Sequence, residues 1–235
     1  MALAALPPVA EKRTAVREMF DRIAPRYDRL NRLITAGLDQ RWRRTALEAI
    51  GIGPRDRVVD LACGTGDLAE LAAARGARVV AVDFSREMLR GARRRTVAAE
   101  LVQADGASLP LPDAWATAVT CGFAMRNFVA LPVIFREVAR VLRPGGRVAL
   151  LEVDRPESRL IRAGHSFYFD RVVPVIGALT SDRAAYAYLP QSTSYLPPAP
   201  ELLARLVGAG FERVERNSLL LGAVQIVTGV RSGAP

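Results

Sequence analysis

The segment Arg57-Val-Val-Asp-Leu-Ala-Cys-Gly-Thr-Gly-Asp-Leu-Ala69 decides the fold of this chain of 235 residues. Its first half is a short apolar run, which predicts a buried strand at 57–62. Gly64 and Gly66 allow the backbone to approach a ligand closely, and the alanine-rich stretch at 68–74 predicts a helix. A strand, a glycine loop and a helix in this order indicate a nucleoside-binding unit, because the amides at the helix N-terminus face the polar atoms of the ligand.

Strands and helices alternate outward from this unit to the end of the chain. The strands predicted from apolar runs are 57–62, 79–82, 100–104, 116–121, 147–153, 211–217 and 223–229. The helices predicted between them are 68–74, 86–95, 130–142 and 200–209, and the turn Pro144-Gly-Gly146 precedes the fifth strand. The sequence therefore predicts an α/β fold with a doubly wound, mostly parallel, Rossmann-like sheet of seven strands.

The chain is expected to form one domain behind a short arm. Residues 1–12 begin with an apolar stretch that contains two prolines, and they are interpreted as a flexible arm. Within the domain at 13–235 we expect N-terminal helices (13–50), a cofactor-binding core (51–153), a substrate-side insertion (154–198) and a C-terminal helix with a strand pair (199–231). The insertion is rich in tyrosine and proline, and its length is more typical of a lid or binding element than of a linker.

The formal net charge of +9 raises the question of a nucleic-acid partner. The basic residues are dispersed, without a basic tail or a block of five like charges, so we expect no nucleic-acid partner and keep a weak attraction to anionic membrane surfaces open.

The two cysteines, Cys63 and Cys121, indicate no disulfide framework and fit a reducing cytoplasm. One histidine without a cysteine cluster gives no zinc ligand set, and no metal is expected. No stretch reaches the roughly 18 apolar residues of a membrane span, and no signal peptide is expected.

Carboxylates at the predicted sheet edge narrow the choice of ligand. Asp60 ends the first strand and Asp67 opens the next helix, a pair that would repel a pyrophosphate but not an ammonium and a sulfonium. Asp83 ends the second strand, where a carboxylate accepts hydrogen bonds from a ribose diol. Asp105 and Gly106 follow the third strand, where a carboxylate can accept a hydrogen bond from the exocyclic amine of an adenine. Together with the Pro-Gly-Gly turn, these residues resemble the class I S-adenosylmethionine-dependent methyltransferases more than the nicotinamide-dependent dehydrogenases.

Further segments resemble the C-methyltransferases of menaquinone and ubiquinone biosynthesis, from about Val16 to Arg231. The segments that carry this resemblance are Phe20-Asp-Arg-Ile-Ala-Pro-Arg-Tyr-Asp-Arg-Leu-Asn31, Gly37-Leu-Asp-Gln-Arg-Trp-Arg43, Met125-Arg-Asn127, Arg140-Val-Leu-Arg-Pro-Gly-Gly146, Leu151-Glu152 and Tyr186-Ala-Tyr-Leu189. The resemblance implies methyl transfer from S-adenosylmethionine to a ring carbon of a prenylated quinol. Demethylmenaquinol is the preferred substrate, and the related benzoquinol stays open because nothing in the sequence separates the two.

Residues and resemblance together give the expected cofactor contacts. They are Asp60, Gly64, Thr65, Gly66, Asp83, Phe84, Asp105, Gly106 and Gly122. Gly122 is a departure, because relatives often have serine there and its hydroxyl is absent from this chain. Pro190-Gln-Ser192 and His165 depart on the substrate side, where relatives often have glutamate and tyrosine, so the substrate is less firmly implied than the reaction.

Four residues are expected to act in catalysis. Arg126 can hold a phenolate or polarise a water, and Asn127 can orient the same oxygen. Tyr27 would close over the cofactor, and His165 is the one side chain whose ordinary pKa lies near neutrality. Three of them have a structural alternative: an ion pair with a surface carboxylate for Arg126, helix packing for Tyr27 and a structural role for His165.

Asp182 and Tyr188 are expected to bind the substrate, with lid packing as the alternative for both. The prenyl tail requires an apolar groove, which the N-terminal helices and the insertion could form. A prenylated quinol would be the partner of a cytoplasmic protein that visits the inner face of the membrane, and a homodimer is compatible with the sequence. A methyltransferase of a soluble aromatic or polyketide-like metabolite, an RNA methyltransferase and a non-catalytic binding module are the alternatives.

Overall fold

A computed structural model describes residues 9–95, 98–154, 156, 158, 161, 188 and 191–233. The helices are α1 (Val9–Ile23), α2 (Tyr27–Ile34), α3 (Leu38–Ala49), α4 (Asp67–Ala73), α5 (Arg86–Arg95), α6 (Leu131–Val141) and α7 (Ala199–Gly208). The strands are β1 (Arg57–Leu61), β2 (Arg78–Asp83), β3 (Ala99–Gln103), β4 (Ala116–Gly122), β5 (Leu142–Val153), β6 (Phe211–Leu219) and β7 (Val224–Arg231). Short 3-10 turns at Met125–Asn127 and Leu220–Gly222 lie beside the site described below.

The seven strands form one sheet in the order β3-β2-β1-β4-β5-β7-β6. The first five are parallel, and β7 runs antiparallel between β5 and β6. This confirms the predicted mostly parallel sheet of seven strands. The strand order reverses between β1 and β4, and ligands of open α/β sheets bind outside the carboxyl ends of the strands at such a point.

Helices cover the sheet on both faces because its central strands are apolar at nearly every position. Val58 of β1 belongs to a buried cluster with Leu47 of α3 and Ala69 of α4. The next residue, Val59, belongs to a second cluster with Phe135 of α6. Successive side chains of a strand point to opposite faces, so this alternation fixes which helices lie on which side.

The N-terminal helices pack together near the carboxyl edge of the sheet. Val16, Met19, Leu30 and Ile34 form a third apolar cluster with Tyr188. None of the helices in the described part of the chain combines the length and the hydrophobicity that a bilayer-spanning segment needs.

The predicted arm at 1–12 is wrong for its last residues. Helix α1 begins at Val9 rather than at 13, and Lys12 is 3% exposed. Its ammonium donates hydrogen bonds to the carbonyl oxygens of Arg126 and Phe128, at 2.9 and 2.8 Å. Long-range contacts of this kind leave no mark on local sequence pattern, so composition alone assigned the segment to an arm.

Strand β5 begins earlier than predicted, at Leu142 rather than Arg147. Leu142 pairs with Ala116, and the pairing resumes with Arg147 opposite Ala118 after a shift in register. The turn Pro144-Gly-Gly146 therefore lies within the strand as a bulge, where Gly145 has a φ of +73°. Of the predicted insertion, residues such as Tyr188 and Thr193 are described, whereas His165 and Asp182 lie outside the described residues.

Candidate active site

The glycine loop is fixed from below by the carboxylate of Asp83. Asp83 Oδ2 accepts a hydrogen bond from the amide of Gly64 at 2.8 Å, and Oδ1 accepts one from the amide of Ser85, also at 2.8 Å. Burial raises the pKa of Asp83 to about 6, against the opposing effect of these amide donors. Gly66 has a φ of +88° immediately before α4, a conformation that costs glycine little.

A cavity of about 520 Å³ opens at the carboxyl ends of β1, β2 and β4, where the strand order reverses. Eight of the predicted site residues line it: Tyr27, Gly64, Asp83, Phe84, Asp105, Gly106, Gly122 and Asn127. At two of its glycines an added Cβ would press on a neighbouring leucine side chain. A Cβ at Gly106 would come within 3.0 Å of Leu61, and one at Gly122 within 2.9 Å of Leu68.

Asp105 stands at the rim of this first cavity. One carboxylate oxygen accepts a hydrogen bond from the amide of Ala107 at 2.9 Å, and the other forms an ion pair with Arg13 at 2.7 Å. Arg13 is largely exposed, so water screens this pair and it holds Asp105 weakly. The carboxylate therefore stays available to a ligand in the cavity.

Asp60 and Thr65 lie outside the first cavity. Asp60 is buried beneath the loop, where Oδ1 accepts a hydrogen bond from the Thr120 hydroxyl at 2.8 Å and Oδ2 has no partner among the described residues. Burial raises the pKa of Asp60 to about 7. The Thr65 hydroxyl turns toward α2 and donates to Asp28. Both line a separate cavity of about 20 Å³, enough for one water.

Asp67 does not present free negative charge to a ligand. Its carboxylate forms ion pairs with three arginines: Arg32 at 2.8 Å, Arg43 at 3.4 Å, and Arg95. These side chains come from α2, α3 and α5, and they hold the pKa of Asp67 below its usual value although burial opposes this. From the sequence we predicted that Asp60 and Asp67 would both repel a pyrophosphate. Because three arginines compensate the charge of Asp67, this argument no longer applies to that residue.

A second cavity, of about 620 Å³, lies between the N-terminal helices, the carboxyl end of β5 and the amino end of the antiparallel strand β7. Its walls are mainly apolar and aromatic: Met19, Phe20, Ile23, Ile34, Leu38, Trp42, Phe123, Val153, Ile161, Leu220, Leu221 and Val224. The polar or charged groups among its lining residues include Tyr27, Asn31, Asp39, Arg43, Arg126, Asn127 and Tyr188. Trp42 stacks edge to face on Phe123 at 6.3 Å between ring centroids, so it forms part of the apolar wall.

Four residues line both cavities and so form the boundary between them: Phe20, Tyr27, Phe123 and Asn127. The ring of Tyr27 lies close to Gly64 of the glycine loop, because a Cβ there would be 3.9 Å from its Cε1. Burial raises the pKa of Tyr27, and the positive charges of Arg43 and Arg126 oppose this shift. The boundary is where a group in one cavity would meet a group in the other.

Arg126 and Asn127 occupy the turn after β4, beside this boundary. Arg126 is buried, and its Nη1 donates to the carbonyl oxygen of Phe123 at 2.7 Å and forms an ion pair with Glu152. Its partner is thus a fully buried carboxylate and not one on the surface, and Nε has no hydrogen-bond partner among the described residues. Asn127 Oδ1 accepts a hydrogen bond from the Tyr188 hydroxyl at 3.1 Å.

Three residues of this site escaped sequence reasoning as functional candidates. Arg43 and Glu152 lie within segments that carry the resemblance, but nothing in their spacing assigned them a role. Lys12 contacts the Arg126 turn from 114 residues away. A charged residue at the end of a buried strand, as Glu152 is in β5, is the one signal that could have drawn attention to a site.

Comparisons with known proteins agree with this arrangement. The model of the ubiE/COQ5 methyltransferase family matches residues 8–231. The chain is 42% identical to a demethylmenaquinone methyltransferase of Roseiflexus sp. strain RS-1 over 238 residues, which covers 99% of this chain and 100% of that protein. It is also 42% identical to the ubiquinone/menaquinone biosynthesis C-methyltransferase UbiE of Syntrophotalea carbinolica, over 92% of this chain and 94% of that protein.

A solved structure from Thermotoga maritima, described as a SAM-dependent methyltransferase, superposes with a TM-score of 0.66. It covers 92% of this chain and 99% of that chain at 19% sequence identity. At this identity the likeness concerns the fold alone.

Proposed function

The chain belongs to the ubiE/COQ5 methyltransferase family, and from that premise we propose that it methylates a ring carbon of demethylmenaquinol. It is an S-adenosylmethionine-dependent methyltransferase, as the family and the relatives named above indicate. The observation that carries the proposal is the pair of adjoining cavities, one beside the glycine loop and one apolar, which share Tyr27 and Asn127.

The residues of the first cavity fit S-adenosylmethionine. Gly106 and Gly122 leave space that a side chain would fill, and Asp83 and Asp105 offer carboxylates to hydroxyl and amine donors. Asp83 would accept hydrogen bonds from the ribose hydroxyls, and Asp105 would accept one from the adenine amine. Gly64 would allow the backbone to approach the cofactor closely. Phe84 would pack on the nucleoside. The bound cofactor supplies a methyl group on a positively charged sulfur, which makes that methyl electrophilic.

Asp60, Thr65 and Gly66 support this site without lining the first cavity. The unpaired oxygen of Asp60 beneath the loop is an acceptor for an ammonium or for a water that binds one. Thr65 ties the loop to Asp28 of α2, and Gly66 sets the start of α4. We propose that the three hold the loop in its binding shape.

The second cavity would take the quinol ring and the start of its prenyl tail. An apolar chamber of about 620 Å³ is of the size that encloses small ligands. Arg126 would hold the quinol oxygen as an anion, which raises the electron density of the neighbouring ring carbon and makes it more nucleophilic. Asn127 would orient the same oxygen. Tyr188 holds the Asn127 amide by its hydrogen bond, and Tyr27 would align the ring with the first cavity. Proximity of this kind is worth on the order of 7–11 kcal/mol in favourable cases.

His165 and Asp182 complete the proposal from outside the described residues. Methylation of a ring carbon ends with loss of the proton on that carbon, and this step needs a base or a relayed water. We assign it to His165 and place Asp182 with the substrate. Both assignments rest on the resemblance and on the chemistry of the side chains.

The mouth of the second cavity suggests how a lipid-soluble substrate arrives. Leu38, Leu220 and Leu221 line this cavity, and their side chains are 37%, 51% and 74% exposed. Exposed leucines around an apolar opening are suited to contact with acyl chains, so we propose that the protein works in the cytoplasm and docks peripherally on the inner face of the membrane. A homodimer would cover the same leucines. Sedimentation with anionic vesicles, compared with mass in solution for wild type and Leu220→Ser, distinguishes the two.

Methyl transfer tests the main proposal. Purified protein with labelled S-adenosylmethionine and a short-chain demethylmenaquinol is expected to yield the ring-methylated quinol, and the related benzoquinol to react more slowly. Label transferred only to a soluble hydroxylated aromatic or polyketide would reverse the substrate assignment. Binding of S-adenosylmethionine by calorimetry without transfer to any of these acceptors would favour a non-catalytic binding module.

A further inference from the structure

We propose that Arg43 forms a second oxyanion-binding point in the apolar cavity, so that the bound quinol is held by two guanidinium groups. The inference rests on the proposed function and adds to it the ionic form in which the substrate binds. Arg126 would hold one oxygen of the quinol, and Arg43 would hold the oxygen on the opposite side of the ring.

The Arg43 guanidinium is buried with unused hydrogen-bonding capacity. The residue is 5% exposed, lines the second cavity and stands 5.1 Å from the centroid of the Phe123 ring. Its Nε and Nη1 atoms are fully buried and have no hydrogen-bond partner among the described residues. Buried donors are nearly always satisfied in folded proteins, so this group requires a partner such as a ligand or a water.

The nearby carboxylates do not supply that partner. Asp39 lies 3.6 Å from Nη1 and Asp67 lies 3.4 Å from Nε, as ion pairs that complete no hydrogen bond. Both carboxylates bind other donors: Arg32 pairs with each of them, and Arg95 pairs with Asp67. The acids therefore compensate the charge of Arg43 at 3.4 and 3.6 Å without accepting a hydrogen bond from its Nε or Nη1.

Arg126 resembles Arg43 in its burial and in its partners. It is buried, paired with a buried carboxylate, and retains an unpartnered Nε among the described residues. Both arginines line the second cavity and act electrostatically on the Tyr27 phenol, so two positive charges lie near this residue in a mainly apolar cavity. A hydroquinone has two oxygens on opposite sides of its ring, and two guanidinium groups that line one cavity offer a cationic partner for each of them.

Binding as an anion moves one proton off the quinol before methyl transfer. The O–H bond breaks, the proton passes to bulk buffer through the cavity mouth, and the electron pair left on oxygen is stabilised by the guanidinium charge. Within the described part of the chain, the charged or titratable groups that line the site are Arg43, Arg126, Asp39, Tyr27 and Tyr188, and Asp67 and Glu152 form ion pairs with the two arginines. No oxidant or further reactant is involved.

The ionisation of a bound naphthol tests this inference directly. 1-Naphthol changes its absorbance when it loses its proton, and its single oxygen can occupy either guanidinium. In wild type we expect bound 1-naphthol to ionise about one unit or more below the pKa of free 1-naphthol. Arg43→Gln should reverse part of that shift, Arg43→Lys should recover part of what the Gln variant loses, and Arg44→Gln, on the exposed face of the same helix, should change nothing.

Two results would overturn the inference: an unchanged naphthol pKa in Arg43→Gln, or no binding of 1-naphthol to wild type. Since Arg32 and Arg95 still pair with Asp67 in the variant, Arg43→Gln is expected to fold, and its melting temperature and S-adenosylmethionine affinity verify this. The proposed function fails separately. A wild type that ionises the probe through Arg43 but transfers no methyl to demethylmenaquinol would refute the function and retain the anion site.

Discussion

The ammonium of Lys12 donates a hydrogen bond to the carbonyl oxygen of Arg126 at 2.9 Å. A second bond from the same ammonium reaches the carbonyl oxygen of Phe128, and the ring of Tyr195 lies 3.6 Å away. The first turn of α1 is thereby joined to the turn that carries Arg126 and Asn127. Burial lowers the pKa of Lys12 to about 8, so the chain accepts an electrostatic cost to keep this lysine in place.

Lys12→Met is expected to displace the Arg126 turn. Two carbonyl oxygens lose their donor, so the free energy of unfolding should fall by about 1–3 kcal/mol. Because the displaced turn carries Arg126 and Asn127, kcat for methyl transfer should fall roughly tenfold, about 1.4 kcal/mol of barrier. Lys12 itself lines neither cavity, so the affinity for S-adenosylmethionine should stay within a factor of about two. Arg17→Met, an exposed change on the same helix, is the control. Equal losses of kcat in both variants would argue against positioning by Lys12.

Cofactor affinity should depend on pH through Asp83. Burial raises its pKa to about 6, so the carboxylate gains a proton as the pH falls through that value. In the role proposed above, the protonated group would no longer accept hydrogen bonds from both ribose hydroxyls. Calorimetry between about pH 5 and 8 should give S-adenosylmethionine affinity that weakens below about pH 6, in wild type but not in Asp83→Asn. Asp60→Asn should retain this dependence, and its loss there would assign the titration to Asp60 instead.

The same proton has the opposite effect on the stability of the protein without cofactor. The pKa of Asp83 is higher in the folded chain than the usual 3.8, so between about pH 6 and 4 the folded state binds this proton before the unfolded state does. By linkage, the contribution of Asp83 to stability therefore rises as the pH falls through this window. Thermal melts of wild type and Asp83→Asn, compared across the window, should converge toward low pH.

The sequence predicted the sheet well because its central strands β1, β2 and β4 are nearly continuous apolar runs, which also locates their ends. Asp83, Phe84, Asp105 and Gly106 lie at the cavity edge for the same reason, since each follows the end of a parallel strand. The charged partners of Arg126 and Asp67 could not be predicted, because they lie between 24 and 35 positions away along the chain. The sharing of Tyr27 by two cavities depends on how α2 packs, which local pattern does not specify.

The buried pair of Arg126 and Glu152 should respond differently to single and double substitution. Arg126→Met leaves Glu152 as an unpaired carboxylate with 0% exposure, which typically costs 3–5 kcal/mol of stability. Adding Glu152→Gln removes that charge, so the double variant should regain about half or more of the lost stability without regaining methyl transfer. Cofactor affinity should be close to that of wild type in the double variant. Recovery of activity along with stability would reduce Arg126 to a structural residue.

Gly122 marks the position where relatives often have a serine, and the structure gives a reason to expect that a serine would fit. A Cβ at Gly122 would lie 2.9 Å from Leu68 Cδ1, the far end of a flexible side chain that can move by a small change in rotamer. Because Gly122 lines the first cavity, a hydroxyl there could bond the cofactor, a gain of about 0.5–1.5 kcal/mol. Gly122→Ser should therefore bind S-adenosylmethionine several-fold more tightly than Gly122→Ala, which adds the same Cβ without the hydroxyl. Calorimetry on the two variants isolates that hydroxyl, and equal affinities would mean that this chain binds its cofactor in a way that the serine of its relatives does not improve.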